Sequence, residues 1–208
     1  MKKCLVEFIG TFFLVLTIGC TVLQPGAGAM APLAIGSVLM VMIYAGGHVS
    51  GAHYNPAVTL AVWLRGKCSP ADVLWYIPTQ VVGGVVAAFL ALVLKGFPSV
   101  EVAHPDVFRA LLAEFFFTFA LCYVVLNAAT AKGTSGNSFY GLAIGFTVLV
   151  GAYSVGSISG GAFNPAVAAG ITVMGLSSIG NIWIFLLGNL AGGAVAGLTF
   201  RFINPEDK

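Results

Sequence analysis

Two copies of one tripeptide interrupt an almost continuously apolar chain, and they constrain its fold more than any other feature. The copies are Asn55-Pro56-Ala57 and Asn164-Pro165-Ala166, which lie 109 residues apart. Each follows a Ser-Gly pair and precedes a valine, Val58 or Val167. A single Asn-Pro pair marks an ordinary turn. Two pairs at matching places in two halves of a membrane protein are typical of a site built from broken helices.

Composition and segment length place this chain in a membrane. It is 59% hydrophobic and 8% charged, whereas soluble domains carry about 25% charged residues. Six apolar segments approach the roughly 20 residues that a spanning helix needs; they are residues 4–23, 31–49, 73–94, 107–130, 138–157 and 180–203. Two further apolar runs, 56–65 and 165–174, are too short to span, and each begins at an Asn-Pro pair. We therefore predict an all-α membrane protein with six transmembrane helices and two re-entrant half-helices.

The two halves of the chain repeat one three-segment unit. Matching stretches, offset by 109 or 107 residues, are Leu33-Ala34-Ile35-Gly36 with Leu142-Ala143-Ile144-Gly145, and Glu7-Phe8 with Glu114-Phe115. We expect a single domain over residues 1–208, divided into repeats 1–96 and 107–203. Because each repeat has an odd number of spans, the second enters the membrane from the opposite side, and the repeat is inverted.

Positive charges predict the orientation of the chain. With the N-terminus in the cytoplasm, seven of the nine Lys and Arg residues face inward, namely Lys2, Lys3, Arg65, Lys67, Lys132, Arg201 and Lys208. Only Lys95 and Arg109 then face outward. This distribution follows the positive-inside rule. We expect a multi-pass protein of the cell membrane with both termini in the cytoplasm.

Each Asn-Pro pair is suited to begin a half-helix, with Asn as the N-cap and Pro at the first helical position. The capping oxygen of Asn55 accepts a first-turn N–H and leaves its NH₂ as a donor, and Asn164 repeats this from the other side. Two half-helices that meet at their N-termini bring positive potential to the middle of the membrane. Such backbone is tolerated there only beside a cavity. We predict a pore whose asparagines orient a central water, interrupt the hydrogen-bond chain that protons need, and repel cations.

The motifs resemble those of the aquaporin (major intrinsic protein) family over essentially the whole chain. Residues 47–59, GHVSGAHYNPAVT, are similar to the first family signature, and residues 159–166, SGGAFNPA, to the second. The resemblance implies a homotetramer with one pore in each subunit. It also implies that Glu7 and Glu114 support the re-entrant loops and that His53 contributes backbone to the pore wall. The alternatives are a catalytic carboxylate pair, which no nucleophile or metal set accompanies, and a pH gate at the histidine.

The same resemblance implies a selectivity filter formed by Ile35, Ala152, Gly161 and Val167. The family usually has an arginine at the position of Val167, and its water-selective members have phenylalanine and histidine at the first two positions. This chain has no aromatic, histidine or arginine side chain in the set, so we expect a wider and more apolar filter. The glycerol-facilitator branch has an aspartate where this chain has Ala168, so the filter matches neither type.

These features together predict a passive channel for water and small neutral solutes, surrounded by membrane lipid. We expect no enzymatic activity, catalytic residue, metal or cofactor, and the net charge of +2 gives no support to nucleic-acid binding. The candidate solutes besides water are ammonia, urea, hydrogen peroxide, glycerol and uncharged metalloid acids. The alternative is a channel dedicated to one of these solutes with low water flux. A secondary transporter is a more distant alternative, because no charged residue that could bind a coupling ion lies near either asparagine.

Overall fold

The computed structural model describes residues 1–207, and its regular structure is helical. Within these residues eight α-helices follow one another: α1 (Lys2–Val22), α2 (Ala31–Ser50), α3 (Pro56–Arg65), α4 (Pro70–Leu94), α5 (Val107–Val125), α6 (Tyr140–Ser159), α7 (Pro165–Val173) and α8 (Ile182–Ile203). Residues 95–106 link α4 to α5, and we call them the outer connection. This connection touches the segment after α7 through an isolated bridge between Ala103 and Ser177.

Six helical stretches of the described chain are long and apolar enough to cross a membrane. They confirm the six predicted segments, with ends that differ by at most three residues. The two half-helices also appear where the sequence predicts them, although α7 ends at Val173, one residue early. The last turn of the fourth span, Leu126–Thr130, is a π-helix. There Asn127 and Thr130 donate side-chain hydrogen bonds to main-chain carbonyls four residues earlier, which competes with the regular ladder.

An even number of spans returns the chain to the face on which it starts. Contacts agree with this, because Lys3 and Lys67 line one cavity and Arg65 pairs with Asp207. We call the face that holds Lys3, Lys67 and Asp207 the inner face and the opposite one the outer face. The half-helix α3 runs from the middle of the molecule to the inner face, and α7 runs from the middle to the outer face.

Small residues bring the spanning helices together. Helices α2 and α6 cross at Gly36 and Gly145. A Cβ on Gly36 would lie 2.7 Å from the carbonyl oxygen of Gly145, and a Cβ on Gly145 would lie 2.5 Å from that of Gly36. Close backbone approach of this kind is how helices associate in lipid. Large apolar side chains point outward instead, among them Trp75 and Phe89, which are 68% and 59% exposed. Such a surface suits contact with lipid tails rather than with water.

Candidate functional site

The two asparagines cap the half-helices and also bind each other's loops. Asn55 and Asn164 have extended backbone, and their side-chain oxygens accept the N–H of Ala57 at 2.8 Å and of Ala166 at 2.9 Å. The amide nitrogen of Asn55 donates across the centre to the carbonyl of Phe163, at 2.8 Å. An amide NH₂ has two hydrogens. The NH₂ predicted to act as a donor therefore uses one hydrogen to join the two loops, and its other hydrogen is not used in this bond.

The second crossing bond mirrors the first. The amide nitrogen of Asn164 donates to the carbonyl of Tyr54, at 2.9 Å. Both acceptor residues have left-handed backbone, with φ of 50° at Tyr54 and 48° at Phe163. This conformation is costly for bulky residues and persists only where the surroundings impose it. Here the Tyr54 ring packs directly against Gly10, in the space that a Cβ on this glycine would occupy. The Phe163 ring packs against Gly151 in the same way.

Glu7 holds the loop between α2 and α3 from the second turn of α1. It is fully buried. One carboxylate oxygen accepts from Ser50 Oγ at 2.6 Å and from the N–H of His53 at 3.0 Å. The other accepts from the N–H of Tyr54 at 2.6 Å and from Gln80 Nε2 at 2.8 Å. Four donors converge on a single side chain, which satisfies a charge that would otherwise be costly at this depth.

Glu114 holds the loop between α6 and α7 in a related way. Its carboxylate accepts from Ser159 Oγ at 2.7 Å, from the N–H of Ala162 at 3.0 Å and from the N–H of Phe163 at 2.7 Å. The position that corresponds to Gln80 is Asn189, whose side-chain oxygen accepts from Thr118 Oγ1. Within residues 1–207, its amide nitrogen has no hydrogen-bond partner. The second loop is therefore tied to its carboxylate by three donors instead of four.

Three cavities lie in a row from one face to the other. The central cavity lies beside Asn55 and Asn164 and is narrow, with a volume of about 30 Å³, which holds only a few waters. The outer cavity measures about 340 Å³ and shares Ile35, Gly161 and Val167 with the central one. The inner cavity measures about 760 Å³ and shares Ile43, Ala52, Val125 and Ile144 with the central one.

The four residues of the expected filter line the outer cavity together. Ile35 comes from α2, Ala152 from α6, Gly161 from the loop before α7, and Val167 from its first turn. Ile35, Gly161 and Val167 also line the central cavity, so they mark the boundary between the outer and the central cavity. None of the four side chains carries a hydrogen-bond donor. Glu101, on the outer connection, adds a carboxylate to the same cavity.

His53 lies between the central cavity and the inner face. Its Nδ1 is 3.1 Å from Thr59 Oγ1, and its ring meets Tyr76 edge-on at 5.3 Å. It also lines the central cavity and a neighbouring one that Lys3 and Cys68 border. Its main-chain N–H is bound by Glu7, as given above, so both its backbone and its ring are held in place.

Sequence reasoning missed several supporting residues. Gln80 recurs as Asn189, and Ser50 as Ser159, so the repeat itself marked these positions without revealing their partners. Arg65 binds Asp207, 142 residues away, and no sequence pattern indicated that contact. In residues 1–207, no cluster of three His, Cys, Asp or Glu side chains that could hold a metal ion occurs.

Comparison with known proteins agrees with this geometry over the whole chain. Residues 1–200 match the family model described as "Major intrinsic protein". The chain is 37% identical to "Aquaporin NIP1-1" of rice (Oryza sativa subsp. japonica), over 100% of this chain and 76% of the relative. It is 32% identical to "Glycerol uptake facilitator protein-like 6" of Lactiplantibacillus plantarum, over 100% of both.

Among solved structures, the X-ray structure of the aquaglyceroporin from Plasmodium falciparum is similar, with a TM-score of 0.82. The match covers 98% of this chain and 97% of the other, at 20% sequence identity. At that identity the likeness establishes the fold and nothing finer. The two half-helices and six spans described above are therefore the arrangement of a known fold.

Proposed function

Because this chain belongs to the major intrinsic protein family, it is a passive channel for water and small solutes, and we propose that its pore runs through the outer, central and inner cavities. The observation that carries this proposal is the pair of crossed asparagines. Asn55 and Asn164 cap two half-helices whose N-termini meet beside the central cavity. Each keeps one amide hydrogen for a passing molecule.

Selection against protons and cations rests on the centre of the pore. Two donors on one water oxygen turn its hydrogens toward the two mouths, so the hydrogen-bond chain that protons follow is interrupted. The two helix N-termini add positive potential, roughly half a charge each. Pro56, Ala57, Pro165 and Ala166 complete the first turns that fix this geometry.

Selection among neutral solutes rests on the apolar filter. Ile35, Ala152, Gly161 and Val167 offer no donor that could replace the hydration of water, and they leave the outer cavity wide. We expect a broad solute range that includes water, with ammonia, urea, hydrogen peroxide, glycerol and uncharged metalloid acids as the solutes to test. The name of the Lactiplantibacillus plantarum relative makes glycerol a natural first choice.

Stopped-flow light scattering of proteoliposomes tests this function directly. We expect faster shrinkage than empty liposomes in a sucrose gradient, and faster re-swelling in glycerol and urea gradients. Val167→Arg adds a large donor and should lower glycerol and urea flux while retaining water flux, whereas Val167→Leu, an apolar control, should keep all three. Fast water flux with glycerol and urea excluded would contradict the broad filter. Fast glycerol flux with little water flux would favour the dedicated-solute channel, and saturable, gradient-coupled uptake would favour a transporter.

Assembly and orientation complete the proposal. The single domain is an inverted pair of repeats, 1–96 and 107–203, embedded in the cell membrane with both termini in the cytoplasm. Four copies form a homotetramer with one pore each. Light scattering coupled to size-exclusion chromatography measures the subunit number, and thiol labelling of Lys2→Cys in sealed cells reports the side of the N-terminus. A monomer with full flux, or labelling from outside, would contradict these points.

A further inference from the structure

A buried arginine anchors the inner end of half-helix α3. Arg65 is the last residue of α3, and its side chain is fully buried. Its Nε donates to Thr130 Oγ1 and one Nη to the carbonyl of Thr130, both at 2.9 Å. The guanidinium also lies over the ring of Phe200, 4.7 Å from its centroid. One side chain therefore joins α3 to the end of the fourth span and to α8.

Asp207 supplies the counter-charge and extends the network. Its Oδ1 accepts from Arg65 at 2.7 Å, and its main-chain carbonyl accepts from the same guanidinium at 3.0 Å. Its Oδ2 accepts the main-chain N–H of Lys132, at 2.7 Å. The carboxylate thus bridges a half-helix and the first residues of the segment 131–139, which we call the inner loop.

The inner loop forms part of the rim of the inner cavity. Lys132, Thr134 and Asn137 of this loop line the cavity. The far end of the loop is tied to the spans by Tyr44, whose hydroxyl donates to the carbonyl of Ser138 at 3.0 Å. Asp207 and Arg65 act on its near end. The loop is therefore anchored at both ends, and between them Thr134 Oγ1 and Asn137 Nδ2 donate to the carbonyls of Asn127 and Ala128.

We propose that the Arg65–Asp207 pair is a positioning device that holds the inner loop at the rim of the inner mouth and out of the pore. This rests on the proposed channel function. An amide in place of the carboxylate keeps one acceptor oxygen, so either the N–H of Lys132 or the Arg65 guanidinium loses its side-chain acceptor. The buried guanidinium also loses its counter-charge, so the network becomes costly to keep in place. The near end of the loop is then released beside the mouth it lines. Because the inner mouth is common to all solutes, flux of water and of glycerol falls by the same factor.

The test compares Asp207→Asn with Glu206→Gln in proteoliposomes. Glu206 is a neighbouring carboxylate that contributes a main-chain carbonyl to Lys132 Nζ, so Glu206→Gln should keep wild-type flux. Asp207→Asn should lower water flux and glycerol flux below those of Glu206→Gln by one common factor, so that their ratio is unchanged. Asp207→Glu, which keeps the charge, should restore most of the flux. Wild-type flux in Asp207→Asn, or a changed ratio, would overturn the proposal.

Limited trypsin digestion gives a readout that does not depend on flux. Cleavage after Lys132 should be faster in Asp207→Asn than in the wild type and in Glu206→Gln, because cleavage follows local release of the loop. Equal cleavage rates would overturn the proposal even if flux had changed. If Asp207→Asn does not fold, Arg65→Lys, which keeps the charge and loses the fork of donors, should give the same two effects in weaker form. A wild type that conducts nothing would instead refute the channel function.

Discussion

The two re-entrant loops are built alike but are held with unequal numbers of bonds. The loop before α3 is bound by Glu7, which accepts four donors including Gln80. The loop before α7 is bound by Glu114, which accepts three donors. The shorter Asn189 does not reach it, and its amide nitrogen has no partner among the described residues. The difference is one methylene group in one side chain. The two repeats therefore place their asparagines in the same geometry, but they hold the loops that carry them with different numbers of hydrogen bonds.

The ends of the two half-helices differ as well. Half-helix α3 ends at Arg65, which is tied by charge to Asp207. The corresponding residue after α7 is Met174, which is buried and packs where a Cβ on Gly19 would lie. The inner half-helix is thus anchored by an ion pair and the outer one by apolar packing. Perturbations of charge should therefore act on the inner half of the pore first.

The largest effect should come from neutralising the two loop-binding carboxylates. Glu7→Gln and Glu114→Gln each turn an amide NH₂ toward buried donors, which costs about 1–3 kcal/mol for each donor left unpaired. We expect both variants to lose stability and Glu7→Gln to lose more, since Glu7 binds one more donor. Thermal midpoints in detergent measure the difference. A lower midpoint for Glu114→Gln than for Glu7→Gln would break the comparison.

The next effect concerns the glycines that back each half-helix. A Cβ on Gly193 would lie 2.6 Å from the carbonyl oxygen of Ala57, and one on Gly84 would lie 2.7 Å from that of Ala166. Gly193→Ala and Gly84→Ala should therefore each shift the first turn of one half-helix, at a cost of about 1–3 kcal/mol.

Both glycine variants should also lower water flux, because each shifts the turn that its asparagine caps. The matched control is Gly180→Ala, since a Cβ there would meet only Ser178 Oγ, at an ordinary contact distance of 3.6 Å. Water flux and thermal midpoints are measured for all three variants. If Gly180→Ala loses as much flux as the other two, close packing against the half-helices is not what sets their position.

A smaller effect should come from exchanging the two amides that distinguish the halves. Gln80→Asn withdraws a donor from Glu7 and from Thr59 Oγ1, and we expect a loss of about 1–3 kcal/mol. Asn189→Gln extends the unpaired amide toward Glu114, so it should cost less than Gln80→Asn or stabilise the protein. Chemical unfolding in detergent compares the two. Equal losses would mean that the unpaired nitrogen of Asn189 already has a partner in solution.

The sequence was sufficient for the spans, the half-helices and the capping asparagines, because each depends on local signals. Apolar length sets the spans, and Asn-Pro sets both half-helix starts, so Pro56 and Pro165 appear where expected. The crossed bonds from Asn55 to Phe163 and from Asn164 to Tyr54 were not predictable, because they depend on how two distant loops face each other. Neither was the Arg65–Asp207 pair, whose partners share no motif or spacing.

The smallest effect concerns pH, to which the ion pair that anchors the inner half should be insensitive in the neutral range. The hydrogen bond from the N–H of Lys132, and then the Arg65 guanidinium, hold the pKa of Asp207 below its usual range, which is about 3.9. A lowered carboxylate pKa gives stabilisation that is present above the unfolded value and is lost as pH falls through the folded one.

The Arg65–Asp207 pair should therefore stay intact from about pH 5 to pH 8, and the ratio of wild-type to Asp207→Asn water flux should stay constant over that range. Measuring both proteins in the same pH series isolates the contribution of the pair from effects of pH on the liposomes. A ratio that changes within that range would show that another titratable group alters the contribution of the pair, and would contradict this prediction. A constant ratio would leave the charge of Asp207 as a fixed support of that half, with no counterpart at Met174 on the outer side.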